Sequence, residues 1–453
     1  MSRKSIDKKL NILLIASIIA VMLVLLFLWL KLMSIFNPED VEDRFDISML
    51  STDNVAAEDI SGLLYPEFIG ITSRGERAGS QTSEAAVCEV YKSLAGCVSN
   101  LLEKGTLSVS SEKQWREAIL NDYSVYIRYH NQFSDSIIRM FCNELSGREP
   151  FISHNFAYIY EMIIIPCSDP SDSFVGYIRN TAGEVKKYTL TEPNIYVTSE
   201  EISNLGAVYS KQLSAFDFAD VKYDSLGYSE PVMNTSQVAE VIYVTDGIAD
   251  MIYNYEEGLD SLFMMFGMNA DKLSSAYTSE EHMSGFVDSS GVLYIGQSSI
   301  EYKSTNGGGV ALSSLIGQKT GSNPGLDGYF RAAMKILNTV RKIEPLFAGG
   351  GAGTTLSSIK IDDERVEIEL IYSYDNIEIL TNKPALKAVF EDGKLIEASI
   401  YTLAVQGGVY NTLPFEWSKA ESLQKKDNKY TDLRLLYDAV HSSGEIAPEW
   451  AAK

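Results

Sequence analysis

An uninterrupted apolar run near the N-terminus constrains this chain more than any other feature. From Ile12 to Leu30 the sequence reads ILLIASIIAVMLVLLFLWL, in which Ser17 is the only polar side chain and no residue is charged. About 20 apolar residues in an α-helix span the hydrocarbon core of a bilayer, and such a helix satisfies its backbone hydrogen bonds internally. The run therefore predicts a single transmembrane anchor over residues 12–36, preceded by a cytoplasmic stub at residues 1–11.

The charges on the two sides of this run predict its orientation. Lysine and arginine dominate residues 1–11, whereas acids dominate the segment that follows the run. The positive-inside rule then places Met1 in the cytoplasm and the bulk of the chain outside the cell membrane. No small-x-small cleavage site follows the apolar run, so the anchor is expected to stay uncleaved. Residues 37–64 are expected to form an acidic spacer.

Composition limits what the exterior part can bind. With 45% hydrophobic and 22% charged residues, the chain is typical of a folded protein. A net charge of −23 argues against nucleic acid as a partner, because phosphates would be repelled. The four cysteines are Cys88, Cys97, Cys142 and Cys167. Nine residues on one predicted helix put Cys88 and Cys97 on opposite faces, so a bond between them is not expected; otherwise free thiols and two bridges both remain open.

The exterior part is predicted to hold two α+β units of antiparallel sheet packed with helices. The first unit covers residues 65–205 and mixes helices with hairpin-forming strands. Residues 206–236 lack strong periodicity and are predicted to be a linker. The second unit covers residues 237–453.

Three patterns define the second unit. A helix is predicted from Leu326 to Ile343, because apolar residues recur there at spacings of three and four. RVEIELIY, at residues 365–372, alternates apolar and acidic side chains, which predicts a half-buried strand. Asp392-Gly393 between two apolar runs predicts a hairpin turn. A helix lying across an antiparallel sheet is the expected packing.

Three segments of the second unit resemble the extracytoplasmic regulators YycH and YycI of Gram-positive bacteria, especially their clostridial relatives. The segments are FGMNADKLSSAYTSEEHMSGFVDSSGVLYIGQSSIEYKS, LIYSYDNIEIL and DLRLLYDAVHSSGEIAPEW. The resemblance covers roughly residues 240–453 and consists of aromatic and turn patterns with no catalytic signature. It implies control of the membrane sensor histidine kinase WalK/YycG, which acts in cell-wall homeostasis. It also implies a partner of the YycH or YycI type.

Short motifs for enzyme chemistry occur but are poorly placed. Ser110 and Lys113 fit the S-x-x-K motif of penicillin-binding proteins, residues 153–155 fit S-x-N, and residues 319–321 fit K-T-G. However, K-T-G belongs on a strand, whereas its surroundings here are typical of a loop. The histidines form no zinc-binding pair. We therefore expect no catalytic residue, no metal site, no cofactor and no enzymatic activity.

The remaining candidates for function are surfaces that bind other proteins. Ala16 and Ala20 form a small-x-x-x-small face that lets another helix approach closely, with Ser17 beside them, although such a face also occurs on plain anchors. The prediction is a non-enzymatic membrane-anchored protein that binds and modulates a sensor histidine kinase of cell-wall homeostasis. The alternatives are a scaffold of the cell envelope or division machinery, and an extracellular sensor that binds a small ligand.

Overall fold

The protein is described by a computed structural model. It describes residues 59–148, 157–166, 174–191, 197–218, 231–233, 237–246, 256–272, 274–278, 283–305, 308–317, 325–343, 352–362, 364–413, 433–440 and 444–452. All of these residues belong to one compact unit, Ala57–Lys453. The anchor predicted at residues 12–36 lies outside the described residues, and so do Ala16, Ser17 and Ala20.

The first half of the described chain forms a nine-stranded antiparallel sheet, called here the N-terminal sheet. Its strands are β1 (Phe68–Ser73), β2 (Glu76–Ser80), β3 (Thr106–Val109), β4 (Tyr123–Ser134), β5 (Tyr158–Ile165), β6 (Val175–Arg179), β7 (Val185–Thr189), β8 (Ser214–Phe218) and β9 (Pro231–Met233). The strand order is β3-β7-β6-β5-β4-β1-β2-β8-β9. The long strand β4 lies at the centre, with Ile127 opposite Ile69 of β1 and Met162 of β5.

Four helices accompany this sheet, and polar caps define where they begin. They are α1 (Glu84–Lys104), α2 (Glu112–Ile119), α3 (Asp135–Ser146) and α4 (Ser199–Tyr209). A helix start needs side-chain acceptors for its first backbone N–H groups. Ser83 caps α1 by accepting from the N–H of Ala86. Ser111 and Thr198 form capping boxes with Gln114 and Glu201.

The second half of the described chain contains fifteen further strands and three helices. The strands are β10 (Gln237–Asp246), β11 (Ser274–Thr278), β12 (Met283–Val287), β13 (Gly291–Ile295), β14 (Ser299–Ser304), β15 (Val310–Ala311), β16 (Gly353–Asp362), β17 (Arg365–Tyr374), β18 (Ile377–Leu380), β19 (Leu386–Glu391), β20 (Lys394–Tyr401), β21 (Leu403–Leu413), β22 (Leu433–Asp438), β23 (Gly444–Ile446) and β24 (Glu449–Ala452). The helices are α5 (Glu256–Met265), α6 (Leu312–Leu315) and α7 (Leu326–Ile343).

These strands form two sheets. Strands β11-β12-β13-β14-β20-β19-β17-β18-β22-β24 run in that order in the C-terminal sheet, where β15 also pairs with β20 and β16 with β17. Its described pairs are antiparallel except β18 with β22, which are parallel. The parallel pair departs from the prediction of purely antiparallel sheet. Strands β21-β10-β23 form a separate three-stranded sheet, called here the ribbon sheet.

The periodic patterns of the second half are confirmed by burial. The predicted bounds of α7 agree with the structure, and Phe330, Leu337 and Val340 are fully buried. Along β17 the apolar positions are buried and Glu367 lies between them, partly exposed. Asp392 and its following glycine adopt positive φ angles of 51° and 70°, as the two central positions of a type I′ turn require.

The predicted fold class does not match the described structure, which is a mixed α/β fold that does not show the predicted transmembrane helix. Among the helices of the described ranges, none is long and apolar enough to cross a membrane. The described chain is a mixed α/β structure in which strand, at 47%, exceeds helix, at 30%. The longest described helices are α1 and α7. Both are amphipathic, since each buries one face and carries several charged residues on the other.

The predicted linker at residues 206–236 contains regular structure. The end of α4 lies in it, and strands β8 and β9 extend the N-terminal sheet beyond β2. Strand β8 pairs with β2 through Ala215 and Ala78. The domain boundaries proposed from the sequence otherwise stay a prediction.

Candidate functional site at the junction of the sheets

The N-terminal sheet with its helices and the C-terminal sheet meet along a shared boundary, called here the junction. A cluster of charged side chains is buried there. Arg434 on β22 lies with its Nε 3.6 Å from Oε2 of Glu67 and its Nη1 3.9 Å from Oε2 of Glu378. Arg128 on β4 donates from Nη2 to Oε1 of Glu67 at 3.2 Å. Removing any one of these side chains would leave buried charge without its counterpart.

Arg434 also makes hydrogen bonds that reach directly into the N-terminal sheet. Its Nη1 donates to the backbone oxygen of His130 at 2.6 Å, and its Nη2 donates to the Tyr160 hydroxyl at 2.8 Å. The guanidinium carbon lies 5.6 Å from the centre of the Tyr160 ring. A single side chain from a late strand is therefore bonded to two strands of the first half, β4 and β5.

The turn between β17 and β18 makes the second set of polar contacts at the junction. Asp375 and Asn376 have φ angles of 46° and 68°, a left-handed conformation that asparagine and aspartate tolerate better than most residues. This turn brings the Asn376 amide nitrogen to 2.9 Å from the backbone oxygen of Glu67 and 3.2 Å from that of Pro66. On the neighbouring strand β16, the Thr355 hydroxyl donates to the backbone oxygen of Leu63 at 3.1 Å.

Carboxylates of both halves meet beside this turn. Asp375 Oδ1 accepts from the backbone N–H of Glu84, the first residue of α1, at 2.9 Å. Burial, and then the charge of Asp375, raise the pKa of Glu84. Burial also raises the pKa of Asp375, with a further contribution from Glu240. The Tyr374 hydroxyl donates to Oε2 of Glu240 at 2.7 Å. This part of the junction is therefore acidic, and the raised pKa values of Glu84 and Asp375 favour the protonated forms of these two groups.

A small cavity opens next to these carboxylates. Its lining is made of Gly62, Tyr65, Glu84, Gly353, Thr354, Thr355, Ser373 and Asn376. A volume of about 20 Å³ is room for one water molecule, whereas small-molecule sites are at least an order of magnitude larger. This cavity therefore gives no support to the ligand-sensor alternative.

An apolar contact and a partly buried ion pair complete the junction. Helices α3 and α7 meet through the rings of Phe141 and Phe330, whose centres are 5.0 Å apart in an edge-to-face arrangement. One turn away, Arg331 Nη2 lies 2.8 Å from Oε1 of Glu144. The apolar spacing that predicts α7 includes Phe330, and this side chain is fully buried. Its contact with Phe141 of the first half was not predicted.

The residues of the penicillin-binding motif do not form a catalytic pair where they are described. Ser110 precedes α2 and donates to Oε1 of Gln114 at 2.9 Å. Lys113 is strongly exposed, and its Nζ lies 3.8 Å from Oε1 of Glu117. The other two motifs, at residues 153–155 and 319–321, lie outside the described residues. In the described ranges, moreover, no group of three His, Cys, Asp or Glu residues could hold a metal ion.

Three of the cysteines are free thiols. Cys88 and Cys97 both lie on α1 and are not bonded to each other, as predicted, and Cys142 lies on α3. Burial raises the pKa of Cys142 to about 12, so its thiol stays protonated at neutral pH and is a poor nucleophile. Its sulfur lies 3.2 Å from the hydroxyl of Tyr91. Cys167 lies outside the described residues.

Comparisons with known proteins identify the fold. No protein-family model matches the chain, and no curated protein matches it. Among solved structures the chain is similar to YycH from Bacillus subtilis, with a TM-score of 0.52 and 10% sequence identity over 88% of this chain and 97% of that chain. An uncharacterized protein from Eubacterium rectale ATCC 33656 matches with a TM-score of 0.30 and 12% identity, over 48% of this chain and 76% of that chain. The chain therefore has a YycH-like fold.

Proposed function

We propose that this chain is a non-enzymatic regulator that binds a membrane sensor histidine kinase of cell-wall homeostasis. The observation that carries the proposal is the fold likeness to YycH, which extends over 97% of that protein's chain. The sequence resemblance of residues 240–453 to the YycH and YycI regulators supports it. In this proposal the folded part lies outside the cell, and a second protein of the YycH or YycI type is a further partner.

Such a regulator acts through a difference in affinity. It shifts a kinase between signalling states only by binding one state more tightly than the other. A difference of about 1.4 kcal/mol already changes the ratio of the two states tenfold. The junction supports this role, because its buried contacts couple the two halves of the folded part. A partner that binds either half would then affect the whole folded part.

The test measures kinase output in cells. We would compare a strain that lacks the chain with one that expresses it, and measure the phosphorylated fraction of the cognate response regulator on a phosphate-affinity gel. A changed fraction that the full chain restores is expected. An unchanged fraction in both strains would contradict the proposal.

A second experiment identifies the partner at the predicted binding residues. A photo-crosslinking amino acid at Ser17, beside Ala16 and Ala20, should form an adduct with a histidine kinase. An adduct with a division or wall-synthesis protein would favour the scaffold alternative instead. Adding protease to intact protoplasts tests the proposed location, because an exterior folded part would be digested and a cytoplasmic one would be protected.

A further inference from the structure

Strand β21 is an end strand of the ribbon sheet. In the described part of the chain it pairs with β10 on one side, and the sheet order places it at the end. An edge strand presents a row of backbone N–H and C=O groups that another strand can pair with. Strand β21 has eleven residues, and the backbone N–H and C=O groups of roughly five of them point away from β10.

Three of the usual protections against strand pairing, namely charge, proline and short length, are missing from this edge, and a β-bulge lies where Val241 of β10 faces Gly408 and Val409. Natural edge strands carry lysine, other charges or proline, or are very short. The sequence of β21, LAVQGGVYNTL, contains no charged residue and no proline. Val409 is 74% exposed and Tyr410 is 64% exposed.

Two glycines in the middle of β21 shape its faces. A Cβ at Gly408 would lie 2.9 Å from the Tyr243 ring, and a Cβ at Gly407 would lie closer still to the Tyr374 hydroxyl. Because side chains of neighbouring strand residues point to opposite faces, the two tyrosines lie over opposite faces of the strand. The glycines thus leave the edge flanked by aromatic rings, which provide contact area at low entropic cost.

We propose that the edge of β21 binds an extended, lysine- or arginine-bearing segment of a partner protein by adding it to the ribbon sheet as a further strand. Main-chain hydrogen bonds would provide the affinity, and Tyr243, Val409 and Tyr410 would contact its side chains. This inference rests on the proposed function, because it names the place where a partner is bound.

The charge of the ribbon sheet selects the partner. Its three strands carry the acids Glu240, Asp246 and Glu445 and no lysine or arginine. A basic segment would be attracted to this sheet. A second copy of the chain would bring the same acids and the same large negative charge, which opposes pairing of two β21 edges.

The first experiment maps what lies at the edge. A photo-crosslinking amino acid replaces Tyr410 in the full chain in cells, and Tyr158, which is 56% exposed on β5, serves as the control position. We expect an adduct from position 410 and none from 158, with one segment bearing lysine or arginine identified by mass spectrometry. A link to the same chain would show self-pairing and overturn the proposal, and so would the absence of any adduct.

A substitution tests the edge itself. Val409→Lys adds the charge that protects natural edges and repels a basic segment, and we expect it to reduce the adduct at least tenfold. Val208→Lys is the matched control, since Val208 is 70% exposed on α4. An adduct that survives Val409→Lys, or is lost equally in Val208→Lys, would overturn the proposal. Circular dichroism of both variants checks that the chain remains folded.

Backbone methylation tests strand addition directly. A synthetic peptide of the captured segment is titrated onto the purified full chain in two forms, N-methylated at odd or at even positions. Only alternate N–H groups of a strand face its neighbour, so one form should bind at least tenfold more weakly than the other. Equal affinity of the two forms would exclude strand pairing.

The outcomes separate this inference from the proposed function. If loss of the chain changes response-regulator phosphorylation but Val409→Lys does not alter the adduct, the edge inference fails and the regulator remains. If the captured segment pairs as described but comes from a protein other than a kinase, and phosphorylation is unchanged without the chain, the regulator fails and the edge inference remains.

Discussion

Charged side chains are buried in the N-terminal sheet and at the junction, whereas on β16, β17 and β19 of the C-terminal sheet they form pairs at the surface. Arg128 on β4 and Glu161 on β5 are each 1% exposed. Glu161 accepts from the Tyr126 hydroxyl and pairs with Arg179. In the C-terminal sheet, Lys387 and Lys360 lie 3.0 and 3.1 Å from Glu367, with their side chains 34% and 68% exposed.

The difference shows where charge determines the structure. Surface ion pairs contribute about 0.2–1 kcal/mol each, because water solvates the separated partners well. A buried cluster adds little net stability relative to an apolar one, yet breaking it is costly. We therefore expect the buried cluster at the junction to specify how the two halves meet, whereas the surface pairs on β17 and β19 add little to a sheet that apolar burial already stabilises.

Arg434→Met is expected to have the largest effect. The variant leaves Glu67 and Glu378 buried beside each other without their shared cation, and we expect unfolding free energy to fall by about 3–5 kcal/mol in urea titrations. A loss below about 1 kcal/mol would contradict the specifying role of the cluster. A double variant with Glu67→Gln should lose less than the sum of the two single variants, because the pair is then removed together.

Phe330→Ala tests the apolar contact across the same boundary. The ring is fully buried against Phe141, and its removal should destabilise the folded part by about 3–5 kcal/mol through lost burial and the cavity left behind. Phe141→Ala should show strong coupling to it in a double-mutant cycle. A change under about 0.5 kcal/mol would place Phe330 at the surface and refute its position in the core.

Lys387→Met should have a small effect on stability. This lysine lies 3.0 Å from Glu367 and 3.2 Å from Glu369, and side-chain hydrogen bonds from Lys387 and Lys360 lower the pKa of Glu367. We expect a loss of at most about 1 kcal/mol, which high salt should reduce further. A loss as large as that of Arg434→Met would remove the distinction between the buried cluster and the surface pairs.

The same distinction explains which parts of the structure could be predicted from the sequence. On β17 one face is buried and the other carries acids, so the alternation of RVEIELIY predicts the strand and its orientation. Strand β4 is buried on both faces along most of its length, including Arg128. Its sequence predicts a strand, but a charged residue in an apolar strand signals only that some partner exists.

The junction could not be predicted because its members are far apart in the chain. Glu67, Arg128 and Arg434 come from three distant segments, and no local periodicity links them. The turn Asp375-Asn376 was noted only as part of a family-like segment, and its contacts to Pro66 and Glu67 depend on how the sheets pack. Charged residues within otherwise apolar strands, such as Arg128 and Glu161, were the available signal.

The acidic part of the junction provides the most delicate test of buried charge. Because burial raises the pKa values of Glu84 and Asp375 in the folded state, their protonated forms are favoured by folding. Their stabilising contribution is therefore complete below the ordinary values, near 4, and is lost as pH rises through the raised ones. Asp375→Asn keeps the acceptor for the Glu84 N–H and tolerates the left-handed turn. Because asparagine does not ionise, the variant should lose less stability than the native protein as pH rises.

The expected result is a gain in stability relative to the native protein that grows between about pH 4 and pH 7, measured by urea unfolding at several pH values. Asp392→Asn, at another left-handed position in an exposed hairpin, controls for the backbone effect of asparagine. A difference that is independent of pH would mean that the pKa of Asp375 is the same in the folded and unfolded states, and a difference that shrinks as pH rises would mean that folding favours the ionised form. The acidic part of the junction would then resemble the surface pairs of the C-terminal sheet rather than the buried cluster around Arg434.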